Sequence, residues 1–250
     1  GNNARAVSEW DYDRGYNKFD IRHNFNASAV YELPIGKGQK YGSSMSSNAN
    51  ALIGGWEVGA IVNARSGLPV NVFITRPDVV FVDASGTVFT TAAAGRTAVI
   101  NTPGGGSSRA TRRPDLIPGA GIYLNNDRSL LNPAAFSIPK PGTFGNFTRN
   151  GARGPNFRQI DLVLNKKFRI NESANVEFRT EVFNILNLTN FAAPPGTLSP
   201  VLGTVAGQFQ PGQPLSSAAS SAFGILSSTV ERSVGLGTNR QIQFALRVNF

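Results

Sequence analysis

Few residues in this 250-residue chain can do chemistry, and their spacing narrows what that chemistry could be. There is one histidine, His23, and no cysteine. Disulfides and thiolate metal sites are thereby excluded, and a nucleophile–base pair has one imidazole to draw on. No Ser-His-Asp order, HExxH, Walker A or GxSxG pattern can be written, and the scattered glycine pairs read as turn signals. Aspartates and glutamates do not recur at metal-ligand spacing. His23 falls on a strand face, so it is expected as a rim residue and not as a catalytic base. The chain is expected not to be an enzyme and to need no cofactor.

Two groups of side chains remain. Glu177, Arg179 and Glu181 alternate in sign at a spacing of two, which sets them along one face of a strand. They are either solvated wall residues or a surface that another domain touches. Arg109, Arg112, Arg113, Tyr123, Phe136, Phe144 and Phe147 mix positive charge with aromatic rings in a Gly- and Pro-rich stretch. That mixture suits capture of an anionic or carbohydrate ligand, or contact with lipopolysaccharide. The alternative is a packed loop with solvated arginines.

The elements that must position these groups are strands. In residues 241–250 every even position is apolar (Ile242, Phe244, Leu246, Val248, Phe250), which is the period of a strand with one dry and one wet face. The same alternation runs through residues 21–33 (Ile21, Phe25, Ala27, Ala29, Tyr31, Leu33) and 51–64 (Leu52, Trp56, Val58, Ala60, Val62, Ala64). It returns in residues 157–170 (Ile160, Leu162, Leu164, Phe168, Ile170), with Val163 and Lys166 out of pattern; Lys166 can snorkel to an interface. In residues 175–187, Phe178, Val182, Ile185 and Leu186 also fit a helix. A helix would stack Glu177 on Glu181, so a strand is expected.

The connections differ systematically in length. Those at 34–50 and 171–174 are the tighter ones, whereas 75–156 and 188–239 are long and rich in Gly, Pro and Ser. A hairpin is expected within the first long loop, at 79–82 and 87–90. No window approaches 18 uninterrupted apolar residues, which rules out a membrane helix but not a membrane barrel. Only 16% of residues are charged, and the formal charge of +9 is scattered. It is expected to be solvating or complementary to an anionic surface, and nucleic acid is not expected as a partner. The chain starts at Gly1 without a basic-then-apolar leader, so any signal peptide is expected to have been removed or to lie upstream.

Together these features predict an all-β fold: an antiparallel transmembrane β-barrel segment of about five main strands with long extracellular loops. Counting back from a strand that ends in the periplasm puts both tighter turns on the periplasmic side. Tyr31, Trp56, Phe168, Phe178 and Phe250 then lie near one height, as a belt at the lipid–water boundary. Five strands cannot close, so residues 1–250 are expected to be the C-terminal part of a larger barrel. The competing architecture is a soluble, secreted β-sandwich binding module.

Several stretches taken in order carry a family resemblance. They are FDIRHNF at 19–25, YELPIGKG at 31–38, GGWE at 54–57, RSGLP at 65–69, LNPAAF at 131–136, GTFGN at 142–146, RGP at 153–155 and FRTEVFNILN at 178–187, with the terminal Phe250. This order resembles the C-terminal barrel of TonB-dependent outer-membrane receptors, in the subgroup with an N-terminal carboxypeptidase-regulatory-like domain. The resemblance spans nearly the whole chain. It implies a 22-stranded barrel of the Gram-negative cell outer membrane, plugged by an N-terminal domain and importing a scarce solute with energy relayed by TonB. It implies further partners: outer-membrane lipid and lipopolysaccharide, the protein's own plug, and the barrel assembly machinery. That machinery would read the terminal strand (Ile242, Phe244, Leu246, Val248, Phe250) by β-augmentation. Glu177, Arg179 and Glu181 would line the lumen and touch the plug. A passive or structural outer-membrane barrel is the alternative to a transporter.

Overall fold

A computed structural model describes residues 10–102, 112–124, 126, 128–205, 207–230 and 239–250. The chain divides into two compact units. The first to consider comprises Ile21–Ser66, Asn156–Ala192 and Ser228–Phe250. It holds one five-stranded sheet of β1 (Asn24–Glu32), β2 (Trp56–Arg65), β3 (Phe157–Arg169), β4 (Asn175–Phe183) and β5 (Gln241–Asn249). The strands lie in that order and every neighbouring pair is antiparallel. β1 and β5 are its edges, so the described residues form an incomplete barrel wall. Among them no helix is long and apolar enough to cross a membrane, which says nothing about crossing by strands.

Register turns the alternation of each strand into a two-faced sheet. Directly opposed residues project to the same side. The ladders oppose Ala27–Val62–Ile160, Ala29–Ala60–Leu162–Val182–Ile242 and Tyr31–Val58–Leu164–Thr180–Phe244, followed by Trp56–Lys166–Phe178–Leu246 and Phe168–Val176–Val248. One face is therefore almost unbroken hydrocarbon, and much of it is uncovered: Phe244 is 68% and Leu246 69% exposed.

Three expected boundaries are corrected. Residues 47–53 form a short helix, α1 (Ser47–Ile53), so Leu52 is not on the face of β2. Ser46 caps α1 by accepting from the Ala49 amide, and the run Ser-Asn-Ala-Asn-Ala has no β-branched residue to favour extension. A bend at Gly54-Gly55 separates α1 from β2. Gly55 has φ of 69°, and a Cβ on Gly54 would lie 2.3 Å from Asn50 Oδ1. β1 begins at Asn24 and ends at Glu32, leaving Ile21 and Leu33 outside it. β4 ends at Phe183, because Asn184 and Asn187 take φ of 50° and 51° and carry Ile185 and Leu186 into a turn. The turn after β3 is as tight as its sequence indicates, with Asn171 Oδ1 accepting from the Ser173 and Ala174 amides.

The second unit takes the described residues of Gly1–Asp20, Gly67–Pro155 and Ala193–Ser227. The long connections within it are not bare loops, for they share a hydrophobic core. Val72, Val80, Leu131, Phe136 and Leu198 are completely buried there. Phe136 meets Phe147 and Phe223 edge-on, at centroid distances of 5.1 and 5.7 Å. The apolar run at 70–74 breaks into two-residue strands, Pro69–Val70 and Phe73–Ile74, which pair with Ala152–Arg153 and Thr197–Leu198. The expected hairpin forms from Val79–Asp83 and Val88–Phe89, and Arg96–Ile100 joins it as a third strand.

Much of this unit's backbone lies outside regular ladders, so its carbonyls need other donors. Arg76 supplies several. Its Nη2 reaches Asn101 O (2.8 Å), Asn101 Oδ1 (2.7 Å), Pro139 O (3.2 Å) and Lys140 O (3.1 Å), and its Nη1 reaches Thr143 O (3.0 Å). Phe136→Ala should destabilise this unit by about 3–5 kcal/mol. Limited proteolysis of the full-length protein checks this: cleavage within residues 67–155 should rise sharply, and an unchanged pattern would show that the core does not hold these segments.

Candidate functional site

The face of the sheet opposite the apolar one carries the charge. Glu177 is opposed by Lys167 on β3 and by Arg247 on β5, giving a cross-strand row of alternating sign. Arg179 is opposed by Asn165, which faces Glu57 across β2, and it forms an ion pair with Glu181. Glu177, Arg179 and Glu181 are thus brought together on one face. The Arg179 side chain is half exposed, so the pair contributes little to stability, up to about 1 kcal/mol.

A buried polar cluster at the other end of this face escaped sequence reasoning. Gln159 Nε2 donates to both carboxylate oxygens of Asp161, at 2.8 and 3.0 Å, and the Asn184 amide donates to Asp161 Oδ1 at 2.8 Å. All three residues are buried. β4 stops pairing with β3 at Leu162, and residues 184–190 take over that edge. The Ile185 amide donates to Ile160 O, and Asn190 Oδ1 accepts from the Arg158 amide. The available signal was the pair of asparagines at 184 and 187, a residue type that tolerates positive φ.

The loop residues expected at an external ligand site lie elsewhere. Arg109 falls outside the described residues. Arg112 and Arg113 are buried and engaged: Arg112 pairs with Asp78 and donates to Arg76 O. Arg113 donates to Phe147 O (2.8 Å) and Tyr12 O, lies over the Tyr12 ring and faces Asp13 at 3.6 Å. Burial lowers the Arg113 guanidinium from its ordinary proton affinity, and Tyr12 and Asp13 oppose that shift. Phe136 and Phe147 are core residues, and Phe144 packs on Tyr12 with centroids 4.8 Å apart. Tyr123 is half exposed, its hydroxyl accepting from the Arg153 amide at 2.9 Å. Phe136 and Phe147 do pack as a loop core, but Arg112 and Arg113 are not solvated, because backbone carbonyls and the Asp78 and Asp13 carboxylates hold them.

On the apolar face, the expected belt residues occupy neighbouring rows at the end nearest the tight turns. Tyr31 is one row above Trp56 and Phe178, Phe168 one row below them, and Phe250 follows the row of Val248. Phe178 meets Trp56 edge-on and stacks on Phe244, both at 6.3 Å, so Phe244 joins this group. Lys166 lies between the rings of Trp56 and Phe168, at 5.2 and 5.1 Å, and its ammonium donates to Gly54 O. Its reach ends on a backbone carbonyl instead of in solvent.

A sheet with one lipid-compatible face, one charged face and alternating connection lengths has the layout of a membrane barrel wall. Residues 1–243 match the family model described as an outer membrane beta barrel domain. The chain belongs to that family. A search of curated proteins and a search of solved structures each returned no match.

In this outer membrane beta barrel domain His23 is exposed and lies just before β1. The His23 amide donates to Ser66 Oγ at 3.1 Å, and the Ser66 amide returns a bond to His23 O at 2.9 Å. Among the described residues no group of three His, Asp or Glu side chains is placed to hold a metal ion. Asp161→Ala would remove the carboxylate that accepts from the Asn184 amide and Gln159 Nε2, at a cost of about 1–3 kcal/mol. Glu177→Gln should cost under about 1 kcal/mol. Thermal unfolding of the refolded full-length protein separates the two, and equal losses would refute this division into structural and solvated charges.

Proposed function

We propose that the chain forms the C-terminal wall strands of a TonB-dependent outer-membrane receptor, a transporter for a scarce solute. The observation that carries the reading is the charged face: Lys167, Glu177, Arg179, Glu181 and Arg247 project from one side of a wall whose other side is apolar. Long charged side chains in rows need a water-filled or plugged lumen, whereas the smallest barrels fill their interiors with packed side chains. The ordered motifs that resemble such receptors support the same reading. On it, Glu177, Arg179 and Glu181 face the N-terminal plug, through which TonB acts.

The same rows support a membrane placement. With tight turns on the periplasmic side and long loops outside, as in membrane barrels generally, the C-terminus would lie in the periplasm. A strand tilt of about 40° moves a line of constant height by about one residue per strand crossed. The drift of the aromatics from Tyr31 on β1 to Phe250 after β5 has that size, which favours a periplasmic-side belt. The terminal strand, with Ile242, Phe244, Leu246, Val248 and Phe250 on one face, suits capture by the barrel assembly machinery through edge pairing.

The test is co-purification of the full-length protein with the periplasmic domain of TonB. A stoichiometric complex is expected. A correctly inserted protein that does not bind TonB would be a passive or structural barrel, and the transporter reading would be wrong.

A further inference from the structure

We propose that the end of the charged face nearest the long connections binds a neutral oligosaccharide through Asn24, Asn26, Asn63 and Arg65. This rests on the transporter reading above, in which the face looks into the lumen, and it names the class of solute. Charge is spread unevenly along the face. The rows Lys167–Glu177–Arg247 and Glu57–Asn165–Arg179 lie toward the tight turns, with Glu32 opposite Glu57. At the other end the rows are Asn26–Asn63–Gln159 and Asn24–Arg65–Phe157. Carboxamides therefore fill one row and begin the next, and Arg65 is the one ionic side chain of the two rows. A cleft of about 250 Å³ lies here, lined by Asn24, Asn26, Asn63, Arg65 and Phe157 among others, and no Asp or Glu lines it. The side chains of Asn24, Asn26 and Asn63 make no hydrogen bond among the described residues. The Arg65 guanidinium lies over the buried Phe157 ring, at 4.9 Å, and likewise has no hydrogen bond or ion pair among them.

What the patch can hold follows from these unused donors and acceptors. An anion is gripped best by charge-assisted bonds from several cations, and these rows supply one. A cation would find no carboxylate lining the cleft. An apolar solute would strip water from the carboxamides and return no hydrogen bonds, which is costly. A sugar hydroxyl donates and accepts at once, and each carboxamide carries an acceptor oxygen and two donor hydrogens on one fork. The Arg65 fork can donate to two neighbouring hydroxyls. Adjacent strands set Asn26 and Asn63 about 5 Å apart, and Asn24 and Asn26 lie about 7 Å apart along β1. Those spacings let one sugar ring bridge several of the four side chains.

The experiment titrates the full-length protein in detergent with maltoheptaose, cellohexaose, xylohexaose and mannohexaose by calorimetry. A ferric tris-catecholate and an alanine hexapeptide serve as anionic and peptide comparisons. At least one sugar should bind, and more tightly than either comparison. Asn26→Ala combined with Asn63→Ala should weaken that sugar about tenfold or more. Asn26 is exposed and unpartnered, so Asn26→Trp, which fills the cleft, should insert normally and also weaken it. Binding of none of the four sugars, or tighter binding of the catecholate or the peptide, would overturn the proposal. Wild-type affinity in the inserted double variant would do the same. Should the double variant not insert, unchanged affinity in Asn26→Trp would overturn it equally. Co-purification with TonB keeps the two readings apart. A protein that binds TonB but no sugar would remove this proposal alone, whereas sugar binding without TonB binding would remove the transporter reading and leave the site.

Discussion

In hydrocarbon, every backbone amide and carbonyl needs a partner within the protein, and the four ladders of the main sheet meet that demand strand by strand. The same ladders decide which side chains meet lipid. Side chains alternate with period two, so a one-residue slip in any ladder would turn one strand's apolar set toward the charged face. Opposing Ala60 to Leu162 and Leu162 to Val182 keeps all five strands in phase. The uncovered aliphatic surface of the sheet, the ring cluster near the tight turns and the charged rows on the reverse side all follow from that register.

The other unit solves its backbone problem differently. Its strands are mostly two to five residues long, and many of its carbonyls lie outside any ladder. Buried guanidinium groups take the place of ladder donors. Arg76 gathers four carbonyls, Arg112 joins a carbonyl to Asp78, and Arg113 joins Phe147 O and Tyr12 O. Five fixed N–H donors on a charged plane suit an irregular interior, where one side chain can tie together segments distant in sequence. Phe136, Phe147 and Phe223 supply the apolar part of the same packing.

This contrast explains how much could be read in advance. The five strands were legible because each carries its own period, and Glu177, Arg179 and Glu181 could be placed on one face from spacing alone. The helix Ser47–Ile53 was missed because Leu52 happens to continue the phase of Trp56 and Val58, while the Ser46 cap is a local contact outside that pattern. The packed loop unit has no period to read. Leu131, Phe136 and Leu198 are buried through contacts between distant segments, and nothing local separates a buried Arg113 from a solvated one. The Asp161 cluster lay between these cases: Asp161 alternates correctly as a polar-face residue, but its burial depends on the turn of Asn184, more than twenty residues away.

β1 to β5 form a wall of an outer-membrane barrel whose apolar face meets lipid. Residues 1–250 contain no cysteine, so single cysteines placed along β3 are the only ones in this segment. The direct measurement is labelling of the full-length protein in outer membranes with a water-soluble, impermeant thiol reagent, at successive positions from Ile160 to Asn165. Protection with period two is expected: Ile160, Leu162 and Leu164 shielded by lipid, Val163 and Asn165 reactive on the charged face, and Asp161 shielded by its buried cluster. Equal reactivity at Leu162 and Val163, or reversed alternation, would contradict it.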